Sequence, residues 1–506
     1  MIKRLLICAL FVILAGLMTS TLWAQGQGTG SIEGVISDTT GAVMPGVKVV
    51  VRNLGTNAIR ELMTDGSGHY RADLLPPGEY EVTATMTGFA TAKIERLTLV
   101  VGSSHAADLK MQVAGGQVTV EVTSEAAVTD PERIEMTSTV GERAVQDLPI
   151  NGRRWENFVL LTPGVTPDGD YGLVSYRGVS GLYNNNSIDG ADNNQAFFSE
   201  ARGRTRISYT ISQAAVKEFQ VGLSNFSAEF GRAAGGTVNA VTKSGTNDIH
   251  GEGFYFLRDG SFMAKNPRVN ALSTLTEDQK KPPERRQQFG GSVGGPLVKD
   301  KVFFFANYDQ QKRHFPGFVI PDTPYNLVAC TVPGCAATIA FLNTQSGLFE
   351  RSGDNYVLLG KLDWMINQNN TLTSAYNFQK WNSPNGIQTQ STITVSPSAN
   401  GLDRVRTDML NLRLTSVLTA NTVNEFRFQF GRDFESQIPN SPGPSVSFTG
   451  GISTGMPNYL PRAAYPNEKR FQFADNYSFI HGNHSFKAGA DIAVRSAGAL
   501  AGTPVG

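Results

Sequence analysis

Few residues of this 506-residue chain have the types and spacing that chemistry requires. Its six histidines are scattered, and only His481 and His484 lie close enough in the sequence to share a metal ion, which two ligands alone hold poorly. The sequence contains neither an HExxH zinc motif nor a GxxxxGK[ST] phosphate loop. We therefore expect no enzyme activity, no catalytic residue, no bound metal and no cofactor.

One segment does bring oxygen donors together. Asp189, Asp192, Asn193 and Asn194 follow one another closely, as a calcium site would require. Their spacing does not match an EF-hand loop, and Asp or Asn beside glycine is also a common turn former. The pattern favours a turn over a metal site.

Two cysteines lie close together in a stretch rich in turn residues. Cys330 and Cys335 are separated by TVPG. An oxidising compartment would let them form a disulfide, which makes this pair the disulfide candidate. The alternative is a pair of free surface thiols, and neither interpretation predicts catalysis.

Composition and charge narrow the class of protein. The 53 glycines and 29 phenylalanines, with modest charge content, favour many short strands and turns, so the chain should be mainly β. Lysine plus arginine equals aspartate plus glutamate at 44 each, which leaves no global positive field to attract nucleic acid. Nucleic-acid binding is therefore not expected.

The N-terminus has the pattern of an export signal. Lys3 and Arg4 precede an apolar stretch that ends in small or polar residues near Ala24. The apolar part is shorter than the roughly 20 residues of a membrane-spanning helix. Residues 1–24 are therefore predicted to be a secretory signal peptide.

Residues 28–112 form a separate unit of short alternating runs between turn signals, which predicts a small β-sandwich. The segments GVISDTTGAVMPGVKV and LPPGEYEVTATMTGF resemble the carboxypeptidase regulatory-like domain. That resemblance implies a seven-stranded sandwich of prealbumin-like or carbohydrate-binding-like fold, without the zinc ligands of peptidases. Glycan binding is open by analogy, but Tyr70, Tyr80 and Phe89 are expected to pack in the core.

Residues 113–129 connect this unit to the next one through a glycine pair and a bare strand of alternating valines. The strand resembles the short segment that outer-membrane transporters present to the periplasmic protein TonB. A last sandwich strand or a plain linker fits equally well. The candidate TonB box comprises Gln117, Val118, Thr119, Val120, Glu121 and Val122.

Residues 130–246 are polar and glycine-rich, and they contain LPINGR, LTPGV, YRG, SIDGADN and EFGRAAGGTVNAVTKSGTN. These segments resemble the plug domain of TonB-dependent receptors of the Oar-like branch. We expect Gly235 and Gly236 to supply positive φ and close backbone approach inside a barrel lumen. The plug-motif residues are Arg177, Gly178, Asp189, Gly190, Asp192, Asn193, Gly235 and Gly236.

Residues 247–506 alternate apolar and polar residues in runs of about ten, as transmembrane strands do. Phe426, Phe428 and Phe430, for example, alternate with Glu425, Arg427 and Gln429. Short turns at 298–301, 367–370, 418–421 and 481–484 alternate with long polar loops, which favours an outer-membrane barrel over a soluble sandwich. Phe303, Phe304 and Phe305 are interpreted as part of an aromatic girdle.

The runs predict nine strands, near residues 249, 286, 302, 355, 371, 406, 423, 470 and 485. Transporters of this type have about 22, so the expectation is a fragment that holds the N-terminal part of an antiparallel barrel. The expected fold is mainly β: a sandwich, an α+β plug and an incomplete transmembrane barrel.

The resemblance implies a TonB-dependent receptor or transporter in the outer membrane of a Gram-negative-type bacterium, with the sandwich in the periplasm. Its expected partners are a TonB-type energy-coupling protein, outer-membrane lipid and an unidentified small solute, glycan or peptide. The alternative is an outer-membrane adhesion, secretion or surface-assembly protein that uses the same scaffold without transport.

Overall fold

The computed structural model describes residues 28–113, 136–168, 173–195, 209–226, 229, 231–265, 267–271, 276–281, 283–319, 330–386, 392–393, 395–448, 452–456, 466–481 and 484–499. The predicted signal peptide and the candidate TonB box lie outside these residues.

The N-terminal unit is a β-sandwich. Its strands are β1 (Gly30–Asp38), β2 (Lys48–Asn53), β3 (Ile59–Met63), β4 (His69–Leu75), β5 (Gly78–Thr85), β6 (Ala92–Leu99), β7 (Ser104–Ala106) and β8 (Leu109–Met111). One sheet has the order β3-β2-β5-β6, and the other holds β4 and β1 with β7 and β8. The short β7 and β8 both run parallel to β1 at successive stretches, so together they occupy one of seven strand positions.

The aromatic rings of the sandwich lie in its core, as expected. Tyr70 and Tyr80 are each 2% exposed, and Phe89 packs against the same cluster. The buried hydroxyls are satisfied internally, since Tyr70 donates to the Ala107 carbonyl and Tyr80 to the Pro76 carbonyl, both at 2.6 Å. These rings are therefore not displayed for a glycan.

The plug, taken here as residues 136–246, is a small α+β unit. It contains β9 (Met136–Val140), α1 (Glu142–Asp147), β10 (Val165–Asp168), β11 (Leu173–Tyr176), β12 (Asn185–Ile188), β13 (Ala191–Asp192), β14 (Val216–Ser224) and β15 (Thr237–Thr242). Short 3₁₀ turns cover Asn151–Arg153, Trp155–Leu161, Gly181–Tyr183 and Gln213–Ala215. Its main sheet has the order β13-β12-β15-β14-β9.

The C-terminal half forms one curved antiparallel sheet, called the wall below. Its strands are β16 (His250–Asp259), β17 (Arg285–Val298), β18 (Val302–His314), β21 (Ser352–Asn367), β22 (Asn370–Ser383), β24 (Gly401–Thr419), β25 (Thr422–Pro439), β28 (Pro466–His481) and β29 (His484–Ala499). Each pairs with the next, and within the described residues β16 and β29 remain the two edges. The nine predicted strands, their short turns and their long loops are confirmed, and the barrel is not closed.

The long loops carry the remaining elements. These are β19 (Gly317–Val319), β20 (Gly347–Phe349), β23 (Thr392–Ile393), β26 (Val446–Ser447), β27 (Ser453–Thr454), α2 (Pro267–Asn270), α3 (Glu277–Lys280) and α4 (Cys335–Thr344), with 3₁₀ turns at Gly260–Phe262 and Pro397–Ala399. Three loops share a small apolar core that includes Val319, Leu342, Val395 and Ile452. No helix among the described residues is long and apolar enough to cross a membrane.

Alternation along the wall strands separates two faces. Glu425, Arg427 and Gln429 are buried towards the plug, whereas Phe426 on the opposite face is 41% exposed.

The interpretation of Phe303, Phe304 and Phe305 as part of an aromatic girdle was wrong for two of the three rings. Phe303 and Phe305 are at most 1% exposed and Phe305 packs in the plug core, because strand parity turns both inwards.

Cys330 and Cys335 are joined by a disulfide at the start of α4.

Replacing both cysteines by serine should lower the free energy of local opening of α4 by about 2 kcal/mol. The effect is modest because the disulfide closes only a short loop and therefore restricts the opened chain little. Amide hydrogen exchange of the complete protein measures this opening. Exchange in β24 and β25 serves as the control, and an equal loss of protection there would contradict a local role for the disulfide.

Candidate functional site

The plug packs against the inner face of the wall through a shared apolar core. The plug contributes Trp155 and Phe219, whose ring centroids lie 5.5 Å apart. The wall contributes Phe305, Leu359 and Met409 to the same cluster. A segment with its own sheet is therefore held inside the curvature of the wall, and the candidate site is this enclosed interface.

Two of the predicted plug motifs are tight turns. Arg177 and Gly178 have φ of 52° and 82°, and Asp189 and Gly190 have φ of 51° and 77°. Two consecutive residues with positive φ match the twist of a two-residue hairpin, a conformation that Asx-Gly favours. Asp189 and Gly190 thus connect β12 to β13 and carry the following acidic residue to the wall.

The expectation for Gly235 and Gly236 was half wrong. Neither residue has positive φ. Both do allow close approach, because a Cβ on Gly235 would lie 2.3 Å from Asn184 Oδ1 and one on Gly236 would lie 2.4 Å from the Tyr176 ring. The glycines are required by crowding against neighbouring side chains and not by a turn.

Asp189 fixes the end of the plug sheet. Its carboxylate accepts hydrogen bonds from the Thr242 amide at 2.9 Å and the Thr242 hydroxyl at 2.7 Å. Lys361 of the wall donates to the Thr242 carbonyl at 3.2 Å and hydroxyl at 3.0 Å. This carboxylate therefore serves a contact between the plug and the wall.

Asp192 is the centre of a larger cluster, called the Asp192 cluster below. Its Oδ2 lies 3.0 Å from Nη1 of Arg470 and 3.1 Å from Nη2 of Arg495, and Arg232 of the plug also contacts it. Its Oδ1 accepts hydrogen bonds from the backbone and side chain of Asn194. Burial raises the pKa of Asp192, but Arg470, Arg232 and the hydrogen bonds from Asn194 together outweigh burial and hold that pKa below its ordinary value.

The wall also binds the backbone of this plug hairpin. Arg427 donates to the Gly190 carbonyl at 3.0 Å, and Gln429 donates to the Asp192 carbonyl at 3.1 Å. Gln472 accepts from the Asp192 amide at 3.2 Å. The inward-facing polar residues that alternate with phenylalanine thus recognise the plug main chain.

The oxygen donors of the SIDGADNN segment do not converge on a common point. Asp189 faces Thr242, Asp192 faces the arginines, and the Asn193 amide group points to Asn186 Oδ1 at 3.4 Å. Among the described residues, no group of three His, Cys, Asp or Glu side chains is arranged to hold a metal.

Two serines occupy GxSxG spacing. Ser292 lies in the middle of β17 and Ser453 in the short β27. That motif activates a nucleophile on a sharp turn from a strand into a helix, a context that neither serine has.

The sandwich docks on the plug at the end of the wall that carries the short turns. The Val101 amide donates to Glu218 Oε1 at 2.5 Å, and Lys217 donates to the Pro77 carbonyl at 2.7 Å. Asn57 of the sandwich also binds Asp300 in a wall turn at 2.8 Å. A cavity of about 1900 Å³ lies at this junction, lined by all three units.

Burial governs the ionisation of the two charged residues at this junction. It raises the pKa of Glu218 to about 7, although Lys217 and the Val101 amide act in the opposite direction. It also lowers the pKa of Lys217, against the field of Glu218. Neither residue was singled out from the sequence, because an acidic and a basic residue in an alternating strand look like an ordinary solvated edge.

Family models match two parts of the chain. The outer membrane beta barrel domain matches residues 241–326 and 332–502, and the carboxypeptidase regulatory-like domain matches residues 31–112. The first match covers just over half of the chain.

Two individual proteins are similar over most of the chain. The TonB-dependent transporter Oar of Myxococcus xanthus is 25% identical over 418 residues, which cover 78% of this chain and 37% of that protein. The crystal structure of the outer membrane transporter YddB from Escherichia coli superposes with a TM-score of 0.53 at 13% identity, over 71% of this chain and 48% of that one. The chain thus spans about a third of one relative and half of the other.

Proposed function

The chain belongs to the outer-membrane β-barrel domain family, and we propose that the complete protein takes up a solute through this barrel with energy from a TonB-type protein. The proposal extends to this chain what the name of its Oar relative says of that protein.

The observation that carries the proposal is the set of buried polar contacts that plug and wall make in addition to their shared apolar core. Buried Asp309 of the wall accepts hydrogen bonds from Tyr209 at 2.7 Å and Ser212 at 2.6 Å, both in the plug. The Asp192 cluster is a second buried polar contact, in which Asp192 of the plug pairs with Arg470 of the wall. Polar groups exchange protein partners for water at modest net cost, so such an interface can separate and re-form in a hydrated lumen.

The position of the candidate TonB box suits a pulling mechanism. Residues 117–122 precede β9. Among the described strands, β9 is the edge of the plug sheet and pairs only with β14. A force on this linker would separate one ladder, from Met136↔Ser224 to Val140↔Phe219, before it reaches the central strands. The coupling is mechanical, and the cargo is a small solute, glycan or peptide.

Deletion of Gln117–Val122 from the complete protein tests this proposal. We expect the deletion to weaken capture of the purified periplasmic domain of a TonB-type protein at least tenfold, because strand addition depends on an intact strand. Capture is measured with the detergent-solubilised protein on an immobilised TonB domain, and energy-dependent uptake is measured in cells.

The control is deletion of Ser124–Thr129, which removes the same number of residues from the same linker and leaves the candidate box intact. Equal capture by both variants would overturn the TonB-box assignment. Unchanged energy-dependent uptake together with altered surface attachment would instead support the adhesion or assembly alternative.

A further inference from the structure

Three arginines stand side by side on neighbouring wall strands. The antiparallel register pairs Arg258 of β16 with Arg286 of β17, and Arg286 with Arg313 of β18. Each is one residue away from the strand end that leads into a long loop. Like charges directly opposite each other destabilise a sheet, so this row needs a compensating interaction.

The row faces the lumen. Two residues further along the same strands, Gln288 and Gln311 are buried, and Gln288 donates to the hydroxyl of plug residue Tyr209 at 3.1 Å. Side chains two residues apart point to the same face of a strand. Arg286 and Arg313 therefore point above the plug, at the end of the lumen that carries the long loops.

The plug adds a fourth arginine to this region. The guanidinium of Arg153 lies 4.7 Å from the ring centroid of Phe254 and 4.4 Å from that of Phe256, both on β16. Gly152 of the same turn approaches the row so closely that a Cβ there would lie 3.2 Å from Nη1 of Arg286.

A fifth arginine completes the group, called the arginine group below. Arg351 precedes β21 and is 1% exposed, and its Nε donates to the Phe315 carbonyl at 3.0 Å. Both Arg351 and Arg313 lie over the Phe315 ring, at 4.7 and 4.5 Å from its centroid. The ring thus limits the positions of two guanidinium planes.

Two members of the arginine group, Arg286 and Arg313, have little compensating negative charge. Within the described part of the chain, Arg286 and Arg313 form no ion pair, and the buried Nε atoms of Arg153, Arg286 and Arg313 have no hydrogen-bond partner. The field of Glu284 acts on Arg286, Arg313 and Arg351 together. The fields of Asp309 and Glu252 act on Arg153. Asp309 already accepts hydrogen bonds from Tyr209, Ser212 and Gln288, and Glu252 pairs with Lys243.

The Asp192 cluster shows how this chain compensates an equivalent arrangement. There Arg470 and Arg495 are also directly opposite each other, but an aspartate lies between them. No residue takes that position between Arg286 and Arg313 in the described structure.

We propose that the arginine group binds an oxyanion of the transported solute, namely a carboxylate, sulfate or phosphate. Guanidinium forks bind such groups through paired, charge-assisted hydrogen bonds, and an anion between the arginines removes their mutual repulsion. The inference rests on the proposed transport function, and it makes the cargo acidic. Lipid headgroups outside the wall are not the partner, because the arginine side chains face the lumen.

Anion titration of the complete protein in detergent tests the proposal, with citrate, sulfate and pyrophosphate as probes at constant ionic strength. We expect saturable binding of at least one probe by calorimetry, about tenfold weaker in R286Q and undetectable in R286Q/R313Q. R406Q is the matched control, because Arg406 lies at the same end of the wall but pairs with Asp408 at 2.9 Å.

A second measurement uses the unaltered protein and therefore does not depend on how the variants fold. The best-bound anion should slow phenylglyoxal modification of Arg286 and Arg313 at least fivefold, and leave Arg406 unchanged. Lack of saturable binding of all three probes, or equal binding by wild type and R286Q/R313Q, would overturn the proposal. Both experiments omit TonB, so their result is independent of the box deletion that tests transport.

Discussion

Replacing Asp192 with asparagine in the complete protein should weaken attachment of the plug to the wall by about 3 kcal/mol. Asp192 is 8% exposed and its principal partner, Arg470, is fully buried. An amide in place of the carboxylate leaves Arg470 and Arg495 opposed across β28 and β29 without a negative charge between them. Arg470 keeps Glu468 at 2.9 Å, which is why we expect a loss at the lower end for a broken buried pair.

The same carboxylate should make the attachment sensitive to acid. Because the arginines hold the pKa of Asp192 below its ordinary value of 3.8, its contribution is present above that value. It is lost as the pH falls through the lower pKa of the folded protein. The asparagine variant should lack this component of the acid response.

The free energy of plug release can be measured from the urea dependence of proteolysis within residues 136–246 of the folded barrel. Asp147→Asn is the control, because Asp147 forms an exposed helical pair with Arg143 that contributes little. Equal urea midpoints for the wild type and Asp192→Asn would show that the three arginines do not depend on this carboxylate.

Local periodicity predicts most of the wall. A strand that alternates Phe426, Phe428 and Phe430 with Glu425, Arg427 and Gln429 has only one arrangement that exposes the rings and buries the polar residues. Strand number, short turns and long loops follow from the same rule. Phe303 and Phe305 were misassigned because a run of consecutive aromatic residues does not show which of them face inwards. Where the plug core touches the wall, both faces of a strand can carry apolar side chains.

The contacts of the candidate site depend on distant pairs that no local pattern specifies. Asp192 meets Arg470 across 278 positions and Glu218 meets Val101 across 117. The sequence did mark Asp189, Gly190 and Asp192, since turn chemistry and closely spaced acids are local signals. The row of Arg258, Arg286 and Arg313 required the strand register, because their spacing in the sequence is set by loop lengths.

Docking of the sandwich on the plug should weaken about a hundredfold as the pH rises from 5 to 8. Glu218 has a pKa of about 7 when docked, against 4.5 for the ordinary residue, because the junction buries it. A raised pKa favours the protonated, docked form, so the stabilisation is complete below 4.5 and is lost as the pH rises through 7. The difference between these two pKa values corresponds to about 3 kcal/mol of docking free energy.

The charged groups around Glu218 influence the size of this pH dependence, and one of them provides the control variant. Lys217 lowers its pKa and Glu142 raises it, but both act less than burial does. Glu218→Gln keeps an oxygen for the Val101 amide and cannot ionise, so docking should become independent of pH over this range. Glu142→Gln is the matched control, since Glu142 is half-exposed and should leave most of the pH dependence in place.

Hydrogen exchange of the Val101 amide, corrected for intrinsic rates, reports this docking because that amide is buried against Glu218. Its protection should fall with rising pH in the wild type and in Glu142→Gln, and stay level in Glu218→Gln. Protection that stays level in the wild type would mean that Glu218 remains ionised in the junction, with Lys217 as its effective counter-charge. Near neutral pH this carboxyl is close to half protonated, so small changes in its surroundings would change how firmly the sandwich covers the plug.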